Sequence, residues 1–161
     1  MISVSVGDRS GRTLTGQTLE AFYTAVSHYP IMSFGLNCSL GASELMPLVE
    51  DINKWCRCAV SCYPNAGLPN EMGGYDQSPE EMARQVLAMA SKGLVNIVGG
   101  CCGTSPAHIK AIAKALNGIM QRMKTDKAST GIILRIDILR IIIPSVLQML
   151  LQYGLIILYS I

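Results

Sequence analysis

The sequence predicts an α/β fold built on parallel strands, and three observations carry that expectation. Residues 1–118 repeat one pattern four times, a short apolar strand, a loop rich in Gly, Pro and Asn, then an amphipathic helix. The rounds recur at roughly thirty residues, the length of one strand–helix–strand repeat. Helix start and stop signals separate them. Strands joined through helices run parallel with right-handed crossovers, because each connection must carry the chain back along the sheet before the next strand can pair.

In the first round, residues 2–6 are the strand, and Leu19, Phe22, Tyr23 and Val26 form the buried stripe of a helix. In the second, residues 31–37 are the strand, with Leu45, Leu48, Val49 and Ile52 as the stripe. The third strand, 58–63, runs through Pro64-Asn65-Ala66-Gly67-Leu68-Pro69-Asn70 to a helix near Pro79. Ser78 caps that helix with Glu81 reaching back, Pro79 takes the first helical position, and Gly93 ends it after Lys92. The fourth strand, 94–98, leads into Gly99-Gly100-Cys101-Cys102-Gly103-Thr104. Ser105 and Pro106 then start a helix with Ile109, Ile112, Ala113 and Leu116 inward, and Asn117-Gly118 stops it.

Two architectures satisfy this order, an open doubly wound sheet and part of a (β/α)8 barrel. Gly99-Gly100 precedes cysteines rather than opening a phosphate-binding G-x-G-x-x-G turn, so the TIM-barrel type is expected, with about four of its βα units present. In both architectures ligands sit beyond the carboxyl ends of the strands.

The 161 residues carry thirteen basic and eleven acidic side chains, for a net charge of +2. No basic stripe is interleaved with aromatics, which argues against nucleic acid as a partner. Six cysteines without a secretory signal at Met1-Ile2-Ser3-Val4 suit a reducing compartment, by default the cytoplasm. Composition breaks near Gly118: residues 119–130 read as a polar linker and 131–161 as an isoleucine-rich apolar tail. Residues 141–161 contain no charge and match the ~20 residues that span a bilayer. Arg135 and Arg140 flank that stretch, whereas Pro144, Gln148 and Gln152 weaken a membrane reading. Three explanations stay open for the tail: a membrane anchor, a terminal element packed on the domain, or a non-native end.

Cys101 and Cys102 are adjacent, where disulfide geometry is poor but two thiolates can fan around one cation. Cys38 follows the second strand as the pair follows the fourth, and supplies a third soft ligand. Three protein ligands leave zinc an open position, which matches a catalytic site better than a closed structural one. A soft, thiolate-rich cation in an open site favours a substrate thiol and holds it deprotonated, so alkyl transfer to sulfur is the expected chemistry. Asn65, beyond the intervening strand, is placed either to offer its amide oxygen to the open position or to serve as an ordinary turn residue. Cys56 reads as a helix end, Cys58 and Cys62 as strand residues, and His28 and His108 as surface or packing histidines.

Asp8-Arg9-Ser10-Gly11-Arg12-Thr13-Leu14-Thr15-Gly16-Gln17, Gly35-Leu36-Asn37-Cys38, Tyr63-Pro64-Asn65-Ala66-Gly67-Leu68-Pro69-Asn70 and Gly99-Gly100-Cys101-Cys102-Gly103-Thr104 together resemble the homocysteine-binding domain of cobalamin-dependent methionine synthase, in the homocysteine S-methyltransferase family. The resemblance runs from about Ile2 to Gly118, in the order and spacing of all four motifs. It implies a (β/α)8 barrel with Zn2+ on Cys38, Cys101 and Cys102, and homocysteine accepting a methyl group through sulfur to give methionine. Cobalamin, the methyl carrier of the full-length enzyme, would be bound by another domain. The chain is expected to be the carboxyl-terminal half of that domain, beginning near the fifth strand. The missing half-barrel or a second copy would then complete the fold. The alternative is a non-catalytic zinc-binding or tail-anchored half-barrel module, associated with a membrane through residues 141–161.

Overall fold

A computed structural model of the chain describes residues 1–119, so the tail and all but the first residue of the linker lie outside the described residues. Four strands alternate with four helices in the expected order: β1 (Ile2–Val4), α1 (Leu19–Val26), β2 (Ser33–Gly41), α2 (Ala42–Trp55), β3 (Ala59–Asn65), α3 (Pro79–Ser91), β4 (Ile97–Val98) and α4 (Pro106–Leu116). The sheet is parallel throughout and ordered β1-β2-β3-β4. That order contains no reversal, the feature at which a doubly wound sheet places its ligand crevice. Consecutive helices pack on one another, α1 on α2, α2 on α3 and α3 on α4. Among the described residues no helix is long and apolar enough to cross a membrane.

Side chains alternate across a strand, so Phe34 and Leu36 of β2 share a face with Val60 and Cys62 of β3. All four are buried, in one core with Leu45, Val49 and Ile52 of α2, Met82, Val86 and Met89 of α3, and Ile112 of α4. Phe34 is the aromatic centre: its ring meets Tyr23 edge-on at 5.1 Å, Trp55 at 6.0 Å and Phe22 at 6.2 Å between centroids. The other face of β2 carries Gly35 and Asn37. Gly35 pairs with Ser61, and a Cβ there would stand 1.7 Å from the Ser61 carbonyl oxygen, so only glycine lets these strands close.

Strand limits differ from the sequence reading in ways that matter for the site. β2 runs past residue 37 to Gly41, because Cys38 and Ser39 adopt positive φ, +62° and +65°, and bulge without ending the strand. Pairing with β3 holds through Asn37 and Tyr63, then resumes at Gly41 and Asn65, leaving Pro64 opposite the bulge. A proline is tolerated there since its missing N–H costs no ladder bond. β3 therefore extends to Asn65, and α2 begins one residue after β2 ends. β4 shrinks to Ile97–Val98 because Leu94 still belongs to the exit of α3. Leu94 N–H bonds Met89 O and Gly93 N–H bonds Ala90 O, with Gly93 at φ +68°, which is a Schellman termination. β1 stops at Val4, while Val6 remains in the core.

Helix caps follow the sequence with one exchange. Ser78 Oγ accepts the Glu81 N–H at 3.2 Å. The reciprocal arrangement forms at α4, where His108 Nδ1 accepts the Ser105 N–H at 3.1 Å. The inward face of α4 is accordingly His108, Ile112 and Leu116, whereas Ile109 and Ala113, expected inward, are only half-buried.

Candidate metal centre

Cys38 reaches the carboxyl end of the sheet through the β2 bulge. Left-handed φ at a residue with a side chain costs about 1–3 kcal/mol and persists only where the surroundings enforce it. Two consecutive cases, at Cys38 and Ser39, therefore mark this turn as held in place. Asn37 anchors its near side: its Oδ1 accepts from Ser3 Oγ at 2.7 Å and its Nδ2 donates to Ser5 Oγ at 3.1 Å.

Cys101 and Cys102 arrive from the loop after β4, which continues alongside β3. Cys101 N–H donates to Pro64 O at 2.7 Å, and Ala66 N–H donates to Cys102 O at 2.9 Å. Between them the Cys102 N–H donates to Asn65 Oδ1 at 3.1 Å. Thr104 folds the loop back, its hydroxyl donating to Cys101 O at 2.6 Å.

The three sulfurs converge. Cys38 Sγ lies 3.4 Å from Cys102 Sγ, Cys102 Sγ lies 3.9 Å from Cys101 Sγ, and all three fall within 4.8 Å of one another. Tetrahedral zinc with bonds of about 2.3 Å sets its sulfurs roughly 3.8 Å apart, so the trio fits the edges of one coordination shell. Among the described residues it is the one group of three or more His, Cys, Asp or Glu side chains so gathered. Cys102 is exposed and the other two are half-buried, which leaves the cluster approachable from solvent.

Electrostatics divides the trio. Burial works to raise the Cys38 thiol, but hydrogen bonds from the Ser39 backbone and from the Cys102, Cys101 and Asn65 side chains bring it below its ordinary value. Burial, followed by the neighbouring Cys38 and Cys102, pushes Cys101 up to about 12. Three thiolates cannot share this space without a compensating cation, and a divalent soft ion is the matching one.

Asn65 is 1% exposed at the end of β3, so it is a strand residue tying the cysteine loop to the sheet rather than a solvent turn. His108 is 8% exposed and stands apart from the sulfurs. Its Nε2–H donates to Gln77 O at 2.8 Å, pinning the β3–α3 loop to α4, so it packs rather than ligates. His28 is exposed and stacks near Tyr29 at 4.0 Å. Cys56 Sγ and Cys58 Sγ lie 3.5 Å apart at the opposite end of β3. Cys62 sits in the core, where burial pushes its thiol up to about 12.

Tyr75 was not singled out from the sequence, yet its ring borders the trio. It packs on Gly103, the residue after Cys102; a Cβ on Gly103 would meet Tyr75 Cβ at 2.2 Å, and Gly103 has φ +76°. No spacing rule links the two positions; only the folded loop does.

A sequence model of one family, homocysteine S-methyltransferase, matches residues 1–116, from the first strand to the end of α4.

Proposed function

Because the chain belongs to the homocysteine S-methyltransferase family, we propose that Cys38, Cys101 and Cys102 hold one zinc ion and that homocysteine binds there through its sulfur to accept a methyl group. The observation that supports this most is the meeting of three sulfurs from two strand ends at tetrahedral spacing. Zinc bound there supplies a Lewis acid that keeps a substrate thiol deprotonated and nucleophilic at neutral pH.

The chain's own groups set that chemistry up. Three cysteinates outweigh the +2 of the ion by one negative charge, which keeps sulfur in the shell electron-rich. The strained turn at Cys38 and the Asn65–Cys102 hydrogen bond fix the ligands before the ion arrives, so little reorganisation is needed. Asn65 Oδ1, which accepts the Cys102 N–H, keeps a second lone pair that could serve the open position in the absence of a substrate thiol. In the transfer an S–CH3 bond forms as the donor–CH3 bond breaks, and the thiol proton has left for solvent on binding. The resemblance of residues 8–17 to methionine synthase favours methylcobalamin, carried by another domain, as donor, with methionine as product.

The unreversed strand order and the stacking of consecutive helices support residues 1–118 as four units of a (β/α)8 barrel. Further strands would pair at β1 and β4, the edges of the described sheet, from a further half-barrel segment or from a second copy.

Substrate coordination through sulfur has a direct test. Homocysteine added to the zinc-loaded chain is expected to release about one proton per site near neutral pH, read calorimetrically in buffers of different ionisation enthalpy. Methionine, a thioether with no proton to lose, is expected to release none. Equal proton release by both, or binding of homocysteine without any, would contradict the proposal.

A further inference from the structure

Cys56 and Cys58 form a second pair of sulfurs, at the end of the sheet away from the metal centre, where α2 gives way to β3. Their Sγ atoms lie 3.5 Å apart, and the Cys56 thiol donates to Cys58 O at 3.6 Å, which keeps the two turned toward one another. The backbone around them is fixed. Cys56 N–H donates to Ile52 O at 2.8 Å, Arg57 N–H to Tyr23 Oη at 3.1 Å, and Ala59 N–H to Met32 O at 3.2 Å. Tyr23 is held in turn by Trp55 and Phe34, at 5.3 Å and 5.1 Å between ring centroids. Access to the two thiols is unequal: Cys56 is 4% exposed, whereas Cys58 is half-buried, so a small reagent meets Cys58 first.

A metal role does not suit this pair, because among the described residues no third His, Cys, Asp or Glu gathers with it and two thiols alone do not make a zinc shell. Two-electron chemistry does suit it. Bond formation needs the sulfurs to close from 3.5 Å to about 2.05 Å, a short approach for side chains that already touch. The geometry points to Cys56 and Cys58 as an oxidisable dithiol, separate from the metal centre, that a small-molecule disulfide converts to an intrachain disulfide. Cys58 loses its proton to solvent and its sulfur attacks one sulfur of the reagent, whose S–S bond breaks and whose first half leaves as a thiolate. Cys56 then gives up its proton and attacks the Cys58 sulfur of the mixed disulfide, expelling the second half. The two cysteines lose two electrons, the reagent gains both, and the two protons end on the released thiols. The hydrogen bond to Cys56, followed by burial, pushes the Cys58 thiol well above its ordinary value, so the pair rests protonated and closes slowly at neutral pH.

The test incubates the full chain and Cys58→Ser with excess glutathione disulfide, then alkylates the remaining thiols in denaturant and digests with a lysine-specific protease. Cleavage after Lys54 and Lys92 leaves Cys56, Cys58 and Cys62 in one peptide, residues 55–92, apart from Cys38, Cys101 and Cys102, so the outcome is independent of the zinc reading. In the parent this peptide is expected to lack two hydrogens and to carry one alkyl group, placed on Cys62 by fragmentation. Closure is expected to quicken about tenfold per pH unit between about pH 7 and pH 9, as the thiolate fraction grows. In Cys58→Ser, with far-UV circular dichroism unchanged, Cys56 is expected to stay reduced, because burial denies the reagent its first attack. Three alkyl groups on the parent peptide even at about pH 9, glutathione retained on Cys58 without closure, or a bridge to Cys62 would each overturn the inference. So would oxidation of Cys56 in Cys58→Ser at the parent's rate.

Discussion

Cys102→Ala is expected to reduce bound zinc from about one ion per chain to nearly none, measured by metal analysis after exhaustive dialysis. Cys102 is the hub of the trio, with Cys38 Sγ at 3.4 Å and Cys101 Sγ at 3.9 Å. Removing it leaves two sulfurs that have lost their shared neighbour, and a two-thiolate site lacks the charge and the geometry for tight zinc. The loss should exceed the roughly 10–100-fold typical of outer-shell changes. Folding should survive, since Cys102 is exposed and its backbone bonds to Asn65 and Ala66 do not involve the sulfur. Cys62→Ala is the control: Cys62 faces the core and should cost stability while leaving zinc in place. Full retention of zinc by Cys102→Ala would remove the basis for the site.

The second large effect is on folding. Phe34 is 0% exposed and touches Phe22, Tyr23 and Trp55, so it joins β2 to both α1 and α2. Phe34→Ala is expected to destabilise the fold by about 3–5 kcal/mol, the range for emptying an aromatic core site. Domains of this kind hold only about 5–15 kcal/mol in total, so the variant should lose a large share of its stability. Cys38 lies on the same strand, so zinc binding should weaken with it. Urea denaturation of both proteins, read by circular dichroism, measures the shift. Leu14→Ala, at a side chain 92% exposed, should move the midpoint by less than about 0.5 kcal/mol equivalent. A similar small shift for Phe34→Ala would place the core elsewhere.

Much of this was legible in the chain because the signals were local. The stripes of α1 and α2, the Ser78–Pro79 start and the Gly93 stop each depend on neighbours a few residues away: Leu19, Leu45, Val49 and Ile52 are buried as expected, Phe22, Tyr23, Val26 and Leu48 only half-buried, and the start and stop are in place. The convergence of Cys38 with Cys101 and Cys102 was legible because parallel strands bring their carboxyl ends to one edge. What escaped was set by tertiary contact. The bulge at Cys38 and Ser39 requires φ values that neither residue prefers, so nothing in the sequence announces that β2 runs on to Gly41. Asn65 was open to two readings, an amide oxygen toward the open position or an ordinary turn residue, and its place at the end of β3 depends on the bulge opposite, which removes the penalty for Pro64. His108, read as a surface or packing histidine, takes the packing role because Gln77 O and Ser105 satisfy both ring nitrogens, which allows an imidazole to be buried. Tyr75 carries no motif of its own; only the glycine at position 103 hints that something large lies against it.

The family of the chain gives the reaction class, and three gathered cysteines that could hold a metal ion are the basis of the proposed chemistry. X-ray absorption at the zinc edge of the loaded chain tests that link most directly. Three sulfur scatterers at about 2.3 Å and one lighter atom at about 2.0–2.2 Å are expected, with a fourth sulfur replacing the lighter atom when homocysteine is added. A shell of nitrogen and oxygen alone, or one unchanged by homocysteine, would contradict the account.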